Sequence, residues 1–187
     1  MAEAGVGSIL RESLPLLLLM ALLEVIAGSF LGRMEHSLER LPGLLALLPA
    51  VLAMRGNIST SLGSRLGTAT RFGLIPRDRW LSPVVWHNLV ASLVLGLILA
   101  AVAAVAAHTT SVALGLPSAG ILRLGAIAMI AGLASGVLMA GAAILVMRGA
   151  FRRGYDLDNV AGPVLMTLSD LSTLACLWLA AAAFGGV

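Results

Sequence analysis

Three charged side chains fall in stretches otherwise too apolar to hold them: Glu24, Arg55 and Asp170. Asp170 closes the run PVLMTLSD that starts at Pro163, inside an apolar segment from about Asp158 to Phe184. If that segment is one helix entered near Asn159, a rise of about 1.5 Å per residue sets the carboxylate roughly 17 Å deep, near the middle of a bilayer. Thr167 and Thr173 lie three residues before and after it, on the same helical face, and extend it into a narrow polar stripe. An ionisable group at that depth is costly and is by default a functional one. Carboxylate, amide and hydroxyl oxygens are the ligands that hard cations such as magnesium require.

Glu24 stands about ten residues into the first apolar segment, at a depth matching that of Asp170. Three accounts of it are open: a place on an ion pathway, a place in an outward vestibule, or a structural ion pair with Arg55, since paired charges are the usual tolerated case in a membrane. The same pairing is open to Asp170. His87 and His108 fall near helix ends, lack a metal-ligand spacing and are expected to be interfacial and solvated. Arg65 is expected to be a structural anchor that can snorkel or bind lipid phosphate, and Met129, Met139 and Met166 to fill packing space. Cys176, the single cysteine, excludes an internal disulfide and is expected to be buried and inert.

The elements that carry these residues follow from composition. At 59% hydrophobic and 11% charged, the 187 residues hold far more apolar surface than one soluble core needs, which predicts an all-α polytopic membrane protein. All basic residues are arginines scattered through loops, a pattern that implies no nucleic-acid partner. Five spans are expected, over roughly 14–32, 41–69, 83–107, 119–147 and 158–184. Residues 33–40 read as a short loop, 71–82 as an interfacial loop anchored by Trp80, and 108–117 as a turn. The apolar run from Leu14 to Leu31 is too long for a signal peptide's core and reads as a retained span.

Span two is unusual, because Pro42, Pro49 and the Arg55-Gly56-Asn57 break are followed by Ser59, Thr60, Ser61 and Ser64. The expectation is a helix interrupted near Gly56 and Asn57, tolerable only inside protein or beside a watery cavity. With the N-terminus inside, Arg11, Arg71, Arg77, Arg79, Arg148, Arg152 and Arg153 are cytoplasmic and Arg33, Arg40 and Arg123 are outside, so the positive-inside rule favours N-in and C-out. Small residues four apart, at Gly28 and Gly32, Gly63 and Gly67, and Gly132 and Gly136, offer faces for close helix contact.

Two stretches resemble one family. The run PAVLAMRGN from Pro49 to Asn57, with LGSRLGTA from Leu62 to Ala69, is similar to the first signature of the MgtE magnesium transporter superfamily, particularly its solute-carrier 41 branch. The run DLDNVAGP from Asp156 to Pro163, with LSDL from Leu168 to Leu171, resembles the family's entry to its last helix and the acid that faces its pore. The resemblance implies divalent-cation transport, most specifically of Mg²⁺, through a homodimeric path lined by spans two and five. Asp170 would interact with a largely hydrated ion while Gly56 and Asn57 shape the facing wall. Bacterial members typically continue the Gly-Asn pair with another glycine and a glutamine, where this chain has Ser59 and Ser61.

The expected candidate metal set is therefore Asp170, Asn57, Gly56, Thr167, Thr173 and Glu24. The chain is expected to be one MgtE-like transmembrane domain over 1–187 without a soluble regulatory domain, set in the plasma (cell inner) membrane, and not an enzyme. Asp156 and Asp158 could open a phosphatidyltransferase-like acidic pattern, but no second acid pair follows. The remaining alternative is a non-catalytic scaffold subunit with Asp170 in a structural hydrogen bond.

Overall fold

The computed structural model describes residues 6–75, 81–153 and 157–185, with the side chains of 8, 9, 12 and 157–160 outside the description. Among the described residues six helices follow one another: α1 (Val6–Arg33), α2 (Glu35–Arg40), α3 (Leu44–Arg71), α4 (Pro83–Ala113), α5 (Ile121–Arg152) and α6 (Leu157–Ala183). All but α2 are long and apolar enough to cross a membrane. The fold class is all-α and polytopic, as composition predicts. The expected anchor Trp80, the loop arginines Arg77 and Arg79, and Asp156 lie outside the described residues.

The expected interruption of span two does not occur: α3 is helical without a break from Leu44 to Arg71. Glycine in a helix costs only about 1 kcal/mol relative to alanine, whereas each unsatisfied backbone group in hydrocarbon costs several. Continuing the helix is the cheaper solution. Thr60 reinforces it, its hydroxyl donating back to the carbonyls of Gly56 (3.0 Å) and Asn57 (3.1 Å). Pro42 precedes the helix, which starts after Gly43 at φ 90°, and Pro49 is accommodated inside it.

Two connections also differ from expectation. Within 33–40, the segment after Arg33 forms the helix α2 instead of a loop, pinned by the fully buried Met34 and by the buried Ser37 and Leu41. The expected turn over 108–117 begins later, because α4 runs on to Ala113; His108 is half-buried there and hydrogen-bonds Ser118 at 2.9 Å instead of standing free. The amide of Ala119 donates to Pro42 O at 2.7 Å, tying the α4–α5 turn to the start of α3.

Helices α3, α4, α5 and α6 pack into one bundle, and α1 lies outside it, chiefly against α6. The bundle core falls into two apolar clusters. One joins Leu44–Val51 of α3 to Ala100–Ala107 of α4, Leu124–Ala131 of α5 and Leu174–Ala181 of α6; the other joins Leu62–Ala69, Val85–Leu89, Met139–Ala150 and Ala161–Leu165. Between them runs a polar layer at mid-helix: Arg55 and Ser59, Ser92, Ser135, then Thr167, Ser169 and Thr173, all buried. Buried polar groups at this level need specific partners, so the layer is where function is to be sought.

Candidate cation site in the polar layer

Asp170 stands midway along α6, and Gly56 stands near the middle of α3. The two helices approach closely along small residues. A Cβ built on Gly63 would lie 2.7 Å from Leu165 Cδ1, and Ser59 donates to Ser169 Oγ at 3.1 Å. At the level of the acid, a Cβ on Gly56 would stand 3.9 Å from Asp170 Oδ1 and 3.6 Å from Met166 Cγ. The missing side chain of Gly56 thus leaves space directly before the carboxylate. Asp170 is half-buried, and its Oδ1 is buried without a hydrogen-bond partner among the described residues.

Beside this contact α3 turns a polar stripe outwards. Asn57, Ser61, Ser64 and Thr68 recur at three- and four-residue spacing, all exposed, and their side chains make no hydrogen bond among the described residues. Such a face is poorly suited to lipid, where polar side chains seek partners. Met166, one turn before Asp170, is 49% exposed and borders the same groove between α3 and α6. Read from sequence as packing, it is instead a neighbour of the acid.

The remaining expected residues are distributed unevenly. Thr167 and Thr173 flank Asp170 but are buried in the bundle, at 4% and 0% exposure, and Thr173 Oγ1 has no hydrogen-bond partner there. Glu24 is half-buried on α1, the helix that packs chiefly against α6. The ion pair with Arg55 is not formed. Arg55 turns to α4 and α5, where its guanidinium occupies the space left by Gly96 and Gly136, and it has no carboxylate or hydrogen-bond partner among the described residues. Arg65 hydrogen-bonds Ser92 at 2.9 Å rather than snorkelling, and Cys176 is buried as expected. His87 is exposed.

Among the described residues, no group of three His, Cys, Asp or Glu side chains converges as a metal cage. The groove offers one carboxylate, one free amide and a line of hydroxyls, a set suited to an ion that retains most of its water.

The profile of the MgtE family, described as a divalent cation transporter, matches residues 48–180, a range that includes Gly56 and Asp170. The chain is 32% identical over 166 residues to solute carrier family 41 member 2 of Xenopus laevis, covering 82% of this chain and 28% of that protein. The human member 2 is 31% identical over 166 residues, covering 82% of this chain and 27% of its own length. Member 3 of Rattus norvegicus is 32% identical over 196 residues, covering 97% and 40% respectively. The chain therefore spans well under half the length of these relatives. No solved structure matches it.

Proposed function

The chain belongs to the MgtE family of divalent cation transporters, and from that premise we propose that it carries Mg²⁺ across a membrane along a route past Asp170. The observation that carries this reading is the carboxylate itself, midway along α6, with a buried unpartnered oxygen facing the gap at Gly56. A dication crossing hydrocarbon needs negative charge near the middle, where the solvation penalty peaks. Asp170 and Asn57 interact with the hydrated ion, Gly56 keeps the passage open, and Glu24 adds negative potential from α1. Thr167 and Thr173 extend the polar stripe of α6 on either side of the carboxylate.

One protomer lines only half of such a route. A two-fold homodimer would bring two copies of Asp170 and two polar α3 stripes together, satisfying groups that are unpaired in the single chain. We read 1–187 as one transmembrane domain, multi-pass in the plasma membrane, with the N-terminus cytoplasmic and the C-terminus outside. That orientation places the arginines at the α3 C-terminus and the α5 C-terminus on the cytoplasmic side. Uptake of Mg²⁺ into liposomes tests the reading. Saturable uptake by the reconstituted chain supports it, and repetition under imposed voltage, Na⁺ and proton gradients distinguishes a channel from a coupled exchanger. A folded chain that passes no divalent cation under any gradient favours the scaffold alternative.

A further inference from the structure

Arg55 leaves the polar layer on the side of α3 that meets α4 and α5. Its side chain is 2% exposed, and Nε is buried without a hydrogen-bond partner among the described residues. The space it occupies is made by two glycines: a Cβ on Gly96 would fall 2.7 Å from Nη1, and one on Gly136 would fall 3.2 Å from Nη2 and 3.3 Å from Nη1. The guanidinium borders a small pocket lined also by Ser59, Ser92, Leu93 and Met139. The volume open to the centre of a water-sized sphere is about 10 Å³, close to what one water needs, so a halide seats there only with a small shift of flexible lining side chains such as Met139.

The chemistry of the walls has one sign. Arg55 does not deprotonate in a protein, and no acid lines the pocket. Arg65 Nη2 donates to Ser92 Oγ at 2.9 Å, so the Ser92 hydroxyl accepts from one cation and keeps its own proton to donate. Ser59 is engaged with Ser169. Cys176 of α6 is a buried free cysteine and supplies no carboxylate. Water could accept hydrogen bonds from these donors but would leave the charge uncompensated, which is the costly arrangement in a bilayer. A monatomic anion meets both demands, and the pocket is too small for a polyatomic one such as sulfate.

We propose that the pocket between α3, α4 and α5 binds one halide ion, chloride in the cell, against the Arg55 guanidinium and the Ser92 hydroxyl. Arg55 adjoins Gly56 in sequence, so an uncompensated charge there would repel a cation passing Asp170. Bound chloride offsets that charge and leaves the potential in the α3–α6 groove set by the carboxylate.

The test uses the full chain in nanodiscs, melted in sodium gluconate with NaCl, NaBr or sodium sulfate substituted at constant ionic strength. Chloride and bromide should raise Tm saturably, by about 2–4 °C, and sulfate should not. The shift should be lost in Arg55→Met and weakened in Ser92→Ala. If Arg55→Met does not fold, Gly136→Ala serves instead, because its methyl closes the pocket against both Arg55 and Leu93 and should remove the response. Crystals grown in bromide should show an anomalous-scattering peak beside Arg55. Equal melting in gluconate and chloride, or an ordered water with no bromide peak at that position, would overturn the proposal, whether or not the chain moves Mg²⁺.

Discussion

Gly56 and Asp170 face each other across the α3–α6 contact, so closely that a methyl group on the glycine would stand 3.9 Å from the carboxylate oxygen. That is ordinary van der Waals distance. Gly56→Ala should therefore fold normally, with unfolding within about 1 kcal/mol of wild type, while Mg²⁺ uptake falls severalfold because the methyl narrows the space before the acid. Gly56→Leu should abolish uptake. Uptake and melting measured on the same preparations check both, and unimpaired uptake by the leucine variant would remove Gly56 from the route.

Gly63 answers to a different constraint. Its Cβ would meet Leu165 Cδ1 at 2.7 Å, a contact that the fully buried Leu165 side chain must shift to relieve. Gly63→Ala should destabilise by about 1–3 kcal/mol, and Leu165→Ala introduced with it should recover part of that loss. Equilibrium unfolding of the two single variants and the pair measures the coupling, and strict additivity would contradict this packing.

The polar stripe of α3 predicts where two protomers meet. With Cys176→Ala as background, Ser61→Cys or Ser64→Cys should give dimers with a short bismaleimide, whereas Leu99→Cys or Val102→Cys on the exposed face of α4 should not. Gel mobility in native-like membranes reads the result. The opposite pattern would move the seam to α4, and no cross-linking at either face would argue for a monomer.

Orientation is checked by labelling in the same background. Ser118→Cys, half-buried in the α4–α5 turn, should react with a membrane-impermeant thiol reagent from outside, and Leu81→Cys, exposed before α4, only after permeabilisation. Reversed accessibility would place the C-terminus inside.

Much of this was legible in the sequence, and the reasons are specific. Long apolar runs mark spans because the bilayer fixes their length, and Asp170 declares itself because a charge in such a run has few cheap explanations. What could not be read is helix rotation. Arg55 and Gly56 are adjacent in sequence, yet one faces α4 and α5 and the other faces α6. Only the packing partners decide which face meets which neighbour, so the Arg55–acid pair was a reasonable expectation that the structure rejects. Gly136, expected as part of a face for close helix contact, packs against Leu93 of α4 and also makes room for the guanidinium. The Gly-Asn pair in α3 would favour a break in water, but the backbone of this segment has no water to turn to and stays helical. Residues 35–40 form a helix for a further reason invisible in their polar sequence, the burial of Met34 at its entry.

The central claim is that Asp170 serves the ion and not the fold. Its buried oxygen has no hydrogen-bond partner among the described residues, and Arg55 is turned elsewhere, so removing the charge should leave the bundle intact. The direct measurement is dye-reported Mg²⁺ uptake by liposomes containing Asp170→Asn, alongside the melting temperature of the same protein. We predict uptake reduced to background in Asp170→Asn and Asp170→Ala, partial uptake with altered preference among Mg²⁺, Mn²⁺ and Ca²⁺ in Asp170→Glu, and melting close to wild type throughout. Near-normal uptake by Asp170→Asn would contradict the account, and so would loss of folding without a separable defect in transport.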